Sequence, residues 1–373
     1  MKKILTVFGT RPEAIKMAVL AKRLSEDPSI DHRLCVTAQH REMLDQVLTL
    51  FDVKPDFDLN VMSHGQDLTD VTVKVLTGMR DLFKHEWRPD LVLVHGDTST
   101  CFVTALAAFY EGIEIGHVEA GLRTGNLQSP FPEEANRVLV SKLANYHFAP
   151  TDLNVKNLLN EGVAIENIVK TGNTVIDSLL YISKSLTEFS EKTSQTRLAD
   201  LVKNNDKYVL ITGHRRENFG DGFIQICEAI HHLALANPSM HFVYPVHLNP
   251  NVQQPVQHLL GDLSNIHLIA PLEYQDFVVA MKHCYLILTD SGGVQEEAPS
   301  LGKPVLVMRD TTERPEAVSS GTVRLVGANK EKIIHGVQEL IDDSAMFNTM
   351  SKAHNPYGDG SSVLKIINFI KIK

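Results

Sequence analysis

The chain carries two apolar segments that share one ending, Leu91-Val-Leu-Val-His95-Gly-Asp97 and Ile113-Glu-Ile-Gly-His117-Val-Glu119. Each closes with a histidine, one spacer and a carboxylate. Residues two apart in a β-strand point to the same face, so each histidine is predicted to point with its acid. If the strands are parallel neighbours, their carboxyl ends meet at the edge where open α/β sheets bind ligands. The segments therefore predict two histidines and two acids at the mouth of a crevice.

Short β-branched runs alternate with helix-length amphipathic stretches along the chain, which is typical of parallel sheets built from β-α-β units. Strands are predicted at residues 4–8, 33–37, 91–94, 113–118, 146–149, 168–171, 208–212, 241–246, 266–269, 286–289, 304–307 and 323–326. In the first half, helices are predicted at residues 12–25, 41–51, 68–84, 98–110 and 134–143.

The length of 373 residues exceeds one typical core and predicts two domains. A new strand begins near residue 168, so the first domain is predicted to cover residues 1–168 and the second 169–359. A turn-rich segment then precedes a terminal helix, 360–373, which is predicted to rejoin the first domain. The predicted fold class is α/β, with two doubly wound, Rossmann-like domains that face each other across a cleft.

The composition is that of an ordinary globular protein. Hydrophobic residues make up 43% of the chain and the formal net charge is −9, which argues against binding to a nucleic-acid backbone. No apolar run has the length of a membrane span, and the apolar run near Met1 is too short for a secretion signal. The four cysteines lie far apart, as expected of buried apolar residues in a reducing compartment, which predicts a cytoplasmic protein.

The loop after the first predicted strand, Gly9-Thr-Arg-Pro-Glu13, opens a helix. Thr10 and Glu13 fit a capping box, and proline is tolerated in a first helical turn. The free backbone N–H groups there, together with Arg11 and Lys16, favour an anion site. The alternative is a well-capped helix with surface cations.

A second candidate anion site is the segment Asp290-Ser-Gly-Gly-Val-Gln-Glu-Glu297, which follows an apolar strand. Gly292 and Gly293 allow a backbone to approach a phosphate closely, and Ser291 adds a hydroxyl donor. Glu297 is placed to accept both hydroxyls of a ribose. The alternative is a glycine turn with exposed glutamates.

A third strand end, Thr212-Gly-His-Arg-Arg-Glu-Asn218, carries three potential cations, among them His214 and Arg215. Arginine is favoured for bidentate contacts to phosphate, and Arg314 adds another cation at an equivalent strand end. The chain has neither a Gly-x-Gly-x-x-Gly fingerprint nor a Walker loop, which disfavours nicotinamide cofactors and ATP hydrolysis.

The two histidines and two acids of the first half also fit a zinc or iron site. Alternate strand residues commonly share a face without a metal, however, and histidines often orient neighbouring carboxylates. We therefore predict no metal, and we assign the chemistry to Asp97 and Glu119. Glu133 and Glu134, at the end of a proline-rich loop, offer a third acid.

Long motifs recur in both halves of the chain. The first half contains Phe8-Gly-Thr-Arg-Pro-Glu-Ala-Ile-Lys16, Gln39-His-Arg-Glu42, Val94-His-Gly-Asp97, Gly116-His-Val-Glu119-Ala-Gly-Leu-Arg123 and Pro132-Glu-Glu134. The second half contains Thr171-Gly-Asn-Thr174, Gly213-His-Arg-Arg-Glu217, Tyr244-Pro-Val-His247, Asp290-Ser-Gly-Gly293, Gln295-Glu-Glu-Ala-Pro-Ser300, Thr311-Thr-Glu-Arg-Pro315 and Asn355-Pro-Tyr-Gly-Asp359. Together they resemble the bacterial non-hydrolysing UDP-N-acetylglucosamine 2-epimerases, from about residue 3 to residue 360.

The resemblance implies a glycosyltransferase-B-type fold, usually a homodimer, that interconverts UDP-N-acetylglucosamine and UDP-N-acetylmannosamine without NAD or metal. UDP is eliminated to give 2-acetamidoglucal and then added back, and the product supplies bacterial surface polysaccharide. The alternatives are a glycosyltransferase of the same fold, a hydrolysing 2-epimerase that releases free sugar, and a non-catalytic sugar-nucleotide sensor.

The resemblance also implies residue roles. Asp97, Glu119 and Glu133 are the acids that move the C2 proton or stabilise the sugar cation, in an order left open, and His214 assists the departing diphosphate. The implied substrate-binding residues are Arg11, Lys16, Leu272, Phe277, Ser291, Gly292, Gly293, Glu297 and Arg314, with Phe277 and the backbone near Leu272 at the uracil. An activating second UDP-N-acetylglucosamine is assigned to positions at or near Gln39, Glu42, Gln66, Glu134, Arg215 and His247.

Overall fold

A computed structural model describes residues 1–38, 41–63, 65–185 and 196–373, with only the backbone described at positions 41, 42 and 196. The chain divides into two compact units, Met1–Ser178 with Tyr357–Lys373, and Leu179–Pro356. Each unit contains one parallel sheet with intervening helices. The predicted fold class, α/β with two doubly wound Rossmann-like domains, is confirmed. No helix among the described residues is long and apolar enough to cross a membrane.

Among the described residues, the sheet of the first unit has seven strands, and all neighbouring strands are parallel. The strands are β1 (Lys2–Phe8), β2 (Ile30–Val36), β3 (Phe57–Asp58), β4 (Leu91–His95), β5 (Glu114–Val118), β6 (Tyr146–Ala149) and β7 (Ile168–Lys170). Their order is β3-β2-β1-β4-β5-β6-β7, so the winding reverses between β1 and β4. The carboxyl ends of strands at such a reversal are the usual ligand site of a doubly wound sheet.

Helices connect the strands of the first unit, and their apolar sides build its core. They are α1 (Arg11–Glu26), α2 (Arg41–Phe51), α3 (Leu68–Asp81), α4 (Ser99–Tyr110), α5 (Glu133–Leu143), α6 (Asp152–Asn160) and α7 (Thr174–Ser185), the last of which continues into the second unit. Leu5 and Val92 of the sheet share a buried cluster with Val75 and Met79 of α3 and Val103 of α4. Burial of such side chains contributes about 1.5–3 kcal/mol each and fixes the sheet that carries the strand ends.

In the described part of the second unit, six parallel strands form the sheet β10-β9-β8-β11-β12-β13. They are β8 (Tyr208–Thr212), β9 (His241–Pro245), β10 (Ile266–Ile269), β11 (Leu286–Thr289), β12 (Val305–Val307) and β13 (Val323–Leu325). The helices are α8 (Thr196–Asn204), α9 (Asp221–Ala236), α10 (Pro250–Leu260), α11 (Tyr274–His283), α12 (Gly292–Glu297), α13 (Pro315–Ser319), α14 (Lys330–Asp342) and α15 (Ser344–Ser351). The winding reverses between β8 and β11, so the loops after these two strands are the candidate ligand site.

The last helix, α16 (Ser362–Ile372), belongs to the first unit, where the sequence placed a terminal helix. Phe369 packs edge-on against Tyr146 and Phe148 of β6, with ring centroids 5.5 and 5.8 Å apart. The carboxylate of Asp177 accepts a hydrogen bond from the backbone N–H of Val363 at 3.0 Å, in the first turn of α16. Aromatic packing and this cap from another helix fix the returning chain on the first sheet.

The division between the units lies further along the chain than the predicted boundary at residue 168. The strand Ile168–Lys170 does not open the second domain; it pairs with β6 as the seventh strand of the first sheet. The first unit therefore continues to Ser178, and the returning segment joins it at Tyr357. The sequence of a short strand after a helix does not show whether the strand is the last of one sheet or the first of the next. The strand with which it pairs determines this.

Strands β4 and β5 are parallel neighbours, as the sequence argument assumed, but the strand alternation used to align each histidine with its acid does not extend to the acids. In the register of β4 and β5, Val94 lies opposite His117 and His95 lies opposite Val118. Paired residues of parallel strands share a face, so His95 and His117 point to opposite faces of the sheet. Both strands end before the acids. Asp97 follows Gly96, which has a φ of +66°, and Glu119 itself has a φ of +63°.

Candidate active site

The loops after β1 and β4 are held together by Glu13, a buried residue in the first turn of α1. Its Oε2 accepts from the backbone N–H groups of Gly9 at 3.0 Å and Thr10 at 2.8 Å, and its Oε1 accepts from the hydroxyl of Thr98 at 2.6 Å. The predicted capping box with Thr10 is present. Burial raises the pKa of Glu13, against the effect of these hydrogen bonds. Glu13 therefore fixes the reversal point of the first sheet.

Gly9 is required at this reversal because of close packing. A Cβ at this position would lie 2.1 Å from the hydroxyl of Thr37 and 2.5 Å from that of Thr100. These two hydroxyls are hydrogen-bonded to each other at 2.9 Å. Any side chain on residue 9 would therefore break a buried contact between the ends of β2 and α4.

Glu119, the acid after β5, is surrounded by donors. Lys16 of α1 forms an ion pair with its Oε2, and the side-chain amide of Asn173 donates to the same oxygen at 2.7 Å. The ring Nε2 of His95 lies 3.7 Å from Oε2. The residue occupies the left-handed region of backbone conformation, which costs a non-glycine residue of the order of 1–3 kcal/mol and is characteristic of functional sites.

Asp97, the acid after β4, is held by α5. The Nε and a terminal nitrogen of Arg137 contact its Oδ2 at 2.8 and 2.7 Å, and the amide of Asn136 donates to its backbone carbonyl at 2.8 Å. Burial raises the pKa of Asp97, and this effect exceeds the opposing effect of Arg137. A carboxyl whose pKa lies above its usual range is suited to proton transfer near neutral pH.

The two histidines of the opening motif are both buried. Burial lowers the pKa of His95 to about 4 and that of His117 to about 3, so both are neutral at neutral pH. The Nε2 of His117 is 2.8 Å from the carbonyl oxygen of Gly96, in the loop that leads to Asp97. Across the described ranges, no three histidine, cysteine, aspartate or glutamate side chains come together as candidate metal ligands.

The two candidate glutamates at the start of α5 have different environments. Glu133 is half-buried at the first residue of the helix. Glu134 is buried, with Oε1 accepting from the backbone N–H groups of Thr124 and Gly125 at 2.9 Å each, and Oε2 3.0 Å from Arg137. Glu134 therefore organises a loop and Arg137, whereas Glu133 has more access to a ligand.

The other described positions assigned to an activator are divided between the two units. Gln39 falls outside the described residues, and Glu42 lies in α2 with its side chain not described. Gln66 contacts its own loop and α3, since its Oε1 accepts from the backbone N–H of Ser63 at 2.8 Å and from Nζ of Lys74 at 3.1 Å. The ring of His247, in the second unit, stacks on that of His214 with centroids 5.4 Å apart.

The site of the second unit is organised by Asp290, a fully buried residue at the end of β11. Its Oδ2 accepts from the backbone N–H groups of His214 and Arg215, at 2.8 Å each, which joins the loops after β8 and β11. Its Oδ1 lies 3.5 Å from Nδ1 of His214. Partial burial lowers the pKa of His214, against the opposing charge of Asp290. His214 is thus anchored through both backbone and side chain, with its ring exposed.

Arg314 lies directly over the glycine loop that opens α12. A Cβ on Gly292 would lie 3.2 Å from the central carbon of the Arg314 guanidinium. The guanidinium is oriented by Glu296, whose Oε1 is 2.9 Å from Nε, and by Glu313, 2.7 Å from a terminal nitrogen. Glycine at position 292 therefore permits a cation to approach the backbone of Ser291–Gly293, as a phosphate site requires.

Three of the remaining predicted substrate residues, Leu272, Phe277 and Glu297, lie in or near α11 and α12 of the second unit. Glu297, in α12, is buried and accepts a hydrogen bond from the hydroxyl of Tyr274 at 2.7 Å. Leu272 precedes α11 and Phe277 lies within it, and both are half-buried. In the first unit, Arg11 is half-buried at the first residue of α1.

Sequence reasoning named the acids but missed the side chains that hold them. Arg137 and Asn173 were not singled out, and Asp290 was quoted only as the start of a motif. Each forms its contact with a residue far along the chain, at separations of 40, 54 and 76 residues respectively. Each is a polar residue that proves to be buried, which is a structural signal that one sequence does not carry.

A family model for UDP-N-acetylglucosamine 2-epimerase matches residues 22–371 of this chain. The chain belongs to the UDP-N-acetylglucosamine 2-epimerase family. Family members of that name from Campylobacter jejuni and Escherichia coli K12 are each 56% identical to it, over 99% of this chain and 97% and 98% of their own lengths.

Solved structures of the epimerase family share the fold. The Neisseria meningitidis UDP-GlcNAc 2-epimerase, bound to UDP-GlcNAc, is 49% identical, with a TM-score of 0.88 over 100% of both chains. The Methanocaldococcus jannaschii UDP-GlcNAc 2-epimerase, in complex with UDP-GlcNAc and UDP, is 34% identical, with a TM-score of 0.78 over 100% of both chains.

Proposed function

We propose that this protein is a non-hydrolysing epimerase that interconverts UDP-N-acetylglucosamine and UDP-N-acetylmannosamine. The observation that carries the proposal is the pair Asp97 and Glu119 at adjacent strand ends, each held on one oxygen by donors, in a chain of the epimerase family. The binding of UDP-GlcNAc by the Neisseria meningitidis relative supports the substrate.

Elimination followed by re-addition is the chemical route that needs only acids, bases and a site for UDP. Carbon 2 of the sugar has no adjacent carbonyl group, so direct removal of its proton leaves a carbanion without stabilisation. When the C1–O bond breaks first, its electron pair leaves with UDP, and the resulting cation acidifies the C2 hydrogen. Loss of that proton gives 2-acetamidoglucal. A proton then adds to the other face of C2, UDP adds back to C1, and C2 is inverted.

We assign the proton transfers to the acids of the first unit. Asp97 has a raised pKa, whereas Glu119 is paired with Lys16, so the two carboxyl groups have distinct environments. Such a difference is the usual basis for separate acid and base roles, here one for each face of C2. Glu133 is half-buried at the start of α5 and is the third candidate. Carboxylates also stabilise the positive charge that develops at C1.

We assign the binding of UDP to the second unit. Ser291, Gly292 and Gly293 offer a hydroxyl and backbone N–H groups to the phosphates, beside the guanidinium of Arg314. His214, anchored by Asp290, is placed to stabilise the departing diphosphate. Glu297 is assigned to the ribose, and Leu272 with Phe277 to the uracil. Arg11 and Lys16 are assigned to the diphosphate as well, although Lys16 also pairs with Glu119.

The remaining family features are also proposed here. A second UDP-N-acetylglucosamine is proposed to activate the enzyme through positions that include Gln66, Arg215 and His247. The protein is proposed to be a cytoplasmic homodimer. Its product is proposed to supply N-acetylmannosamine-type sugars for surface polysaccharide. Glu134 is less suited to contact the activator directly, since both its oxygens are already engaged inside the first unit.

Product analysis by ¹H and ³¹P NMR distinguishes the proposed function from its alternatives. With UDP-N-acetylglucosamine as the only substrate, we expect the two UDP-sugars to reach a constant ratio, and the same ratio to be reached from UDP-N-acetylmannosamine. Accumulation of UDP with an equal amount of free N-acetylmannosamine would instead indicate a hydrolysing epimerase. A reaction that begins only on addition of an acceptor sugar would indicate a glycosyltransferase, and tight binding without turnover a sensor.

A further inference from the structure

Asn173 joins the acid Glu119 to the start of helix α7. Its Nδ2 donates to Oε2 of Glu119 at 2.7 Å, and its Oδ1 accepts from the backbone N–H of Val175 at 3.0 Å. A backbone N–H only donates, so the amide oxygen faces Val175 and the amide nitrogen faces Glu119. The orientation of the amide is therefore fixed by the helix that Asn173 precedes.

The backbone of Asn173 is fixed as well. Its N–H donates to the carbonyl of Tyr357 at 2.7 Å, in the segment by which the chain returns to the first unit. The preceding Gly172 has a φ of +88°, and a Cβ there would lie 3.0 Å from the same carbonyl oxygen. Asn173 is only 3% exposed. A buried polar residue held at three points, two on its side chain and one on its backbone, is a rigid support for the group that it contacts.

We infer that Asn173 is a positioning residue for the epimerase reaction, whose amide, with Lys16, holds Oε2 of Glu119 and so orients the carboxyl group that exchanges the C2 proton. The inference rests on the proposed function. The carboxyl group of Glu119 lies beside Gly96, where a Cβ would be 3.7 Å from Oε1. General acid–base catalysis requires the reacting oxygen within hydrogen-bond reach of its proton, and the left-handed backbone of Glu119 does not fix the side chain by itself.

The other titratable groups around Glu119 include Lys16 from α1, His95 from β4, Asp97 from the loop after β4 and Cys101 from α4. His95 is neutral at neutral pH because burial lowers its pKa to about 4. Asn173 is thus an uncharged hydrogen-bond donor to Glu119, whose charged neighbours are Lys16 and Asp97. Replacement of its amide changes the hydrogen bonding of Glu119 and leaves both charged neighbours in place.

Asn173→Asp separates a positioning role from a helix-capping role. Aspartate caps a helix as well as asparagine and has nearly the same volume, but it replaces the donor at Glu119 by a carboxylate. We expect kcat to fall about 100-fold, with KM changed only slightly. In the direction in which Glu119 removes the proton, we also expect the acidic limb of the pH–rate profile to move to higher pH, because a neighbouring negative charge raises a carboxyl pKa. Asn173→Ser, which caps without an amide or a charge, is expected to shift the limb in the same direction with a smaller loss of kcat.

The matched control is Asn329→Asp at the N-terminus of α14, where the Asn329 side chain caps the N–H of Lys332 at 3.0 Å. This variant is expected to keep wild-type kcat and pH profile. If Asn173→Asp and Asn173→Ser also keep them, Asn173 is only a cap and the inference is overturned. If Asn173→Asp does not fold, kcat and the pH–rate profile of Asn173→Ser alone test the inference. Wild-type enzyme in D₂O is measured alongside: absence of deuterium at C2 there contradicts the proposed function itself, whatever the variants do.

Discussion

Glu119→Gln is expected to lower kcat by about 10²–10⁴-fold while UDP still binds with nearly wild-type affinity. The amide keeps the volume of the carboxylate and loses its ability to take up a proton. Asp97→Asn is expected to have an effect of the same order, because each acid is assigned to one face of C2. The measurement is kcat by NMR for both variants, with UDP affinity determined by calorimetry.

The control is Glu26→Gln, which removes a carboxylate at an exposed ion pair with Arg23 in the last turn of α1. We expect this variant to retain wild-type kcat. Full activity in Glu119→Gln or Asp97→Asn would refute the role assigned to that acid. Loss of UDP binding together with kcat would show that the residue supports the fold and not the proton transfer.

The pH dependence of the wild-type enzyme follows from the same acids. Burial raises the pKa of Asp97, so its protonated form persists to higher pH than in a free aspartate. In the direction in which Asp97 removes the proton, the rate therefore falls as the pH drops through this raised pKa. The acidic limb is expected above the usual carboxyl range.

Arg137→Met is expected to destabilise the first unit by about 3–5 kcal/mol, because it leaves the carboxylates of Asp97 and Glu134 without their shared cation. Methionine replaces most of the volume, so the cost is chiefly electrostatic. A loss of this size lowers the thermal midpoint of a unit of this length by roughly 10 °C. Differential scanning calorimetry of the full chain measures it.

The matched control for this prediction is Arg33→Met. Arg33 contacts Asp56 at 2.9 Å, but its side chain is 45% exposed, whereas that of Arg137 is 8% exposed. Exposed ion pairs contribute at most about 1 kcal/mol, so the midpoint is expected to change little. Equal midpoints for the two variants would contradict a supporting role of Arg137 beneath Asp97.

Most of the fold could be predicted because strand and helix alternate with clear periods. The prediction missed β3, the two-residue strand Phe57–Asp58, because so short a segment carries no period of its own and exists only by pairing with β2. It also placed the strand Ile168–Lys170 in the second domain. This strand belongs to the first sheet because it pairs with β6. Pairing over long sequence separations is a property of the assembled sheet.

The candidate site could be predicted only in part. The acids Asp97 and Glu119 were recognisable because they follow apolar strands, but their partners come from α5 and from the start of α7. The strand alternation from which each histidine was predicted to point with its acid does not reach the acids, because both strands end before them. A left-handed residue then redirects the chain, Gly96 in one case and Glu119 itself in the other. Backbone turns of this kind have no strong signature when the residue is not glycine.

The most direct test of the proposed chemistry is the reaction of the wild-type enzyme with UDP-N-acetylglucosamine in D₂O, followed by NMR at C2 of both UDP-sugars. Removal and return of the C2 proton by carboxyl groups in contact with solvent predicts deuterium at C2 of UDP-N-acetylmannosamine from the first turnover. It also predicts deuterium at C2 of the recovered UDP-N-acetylglucosamine as equilibrium is approached. Formation of UDP-N-acetylmannosamine with only hydrogen at C2 would contradict the account.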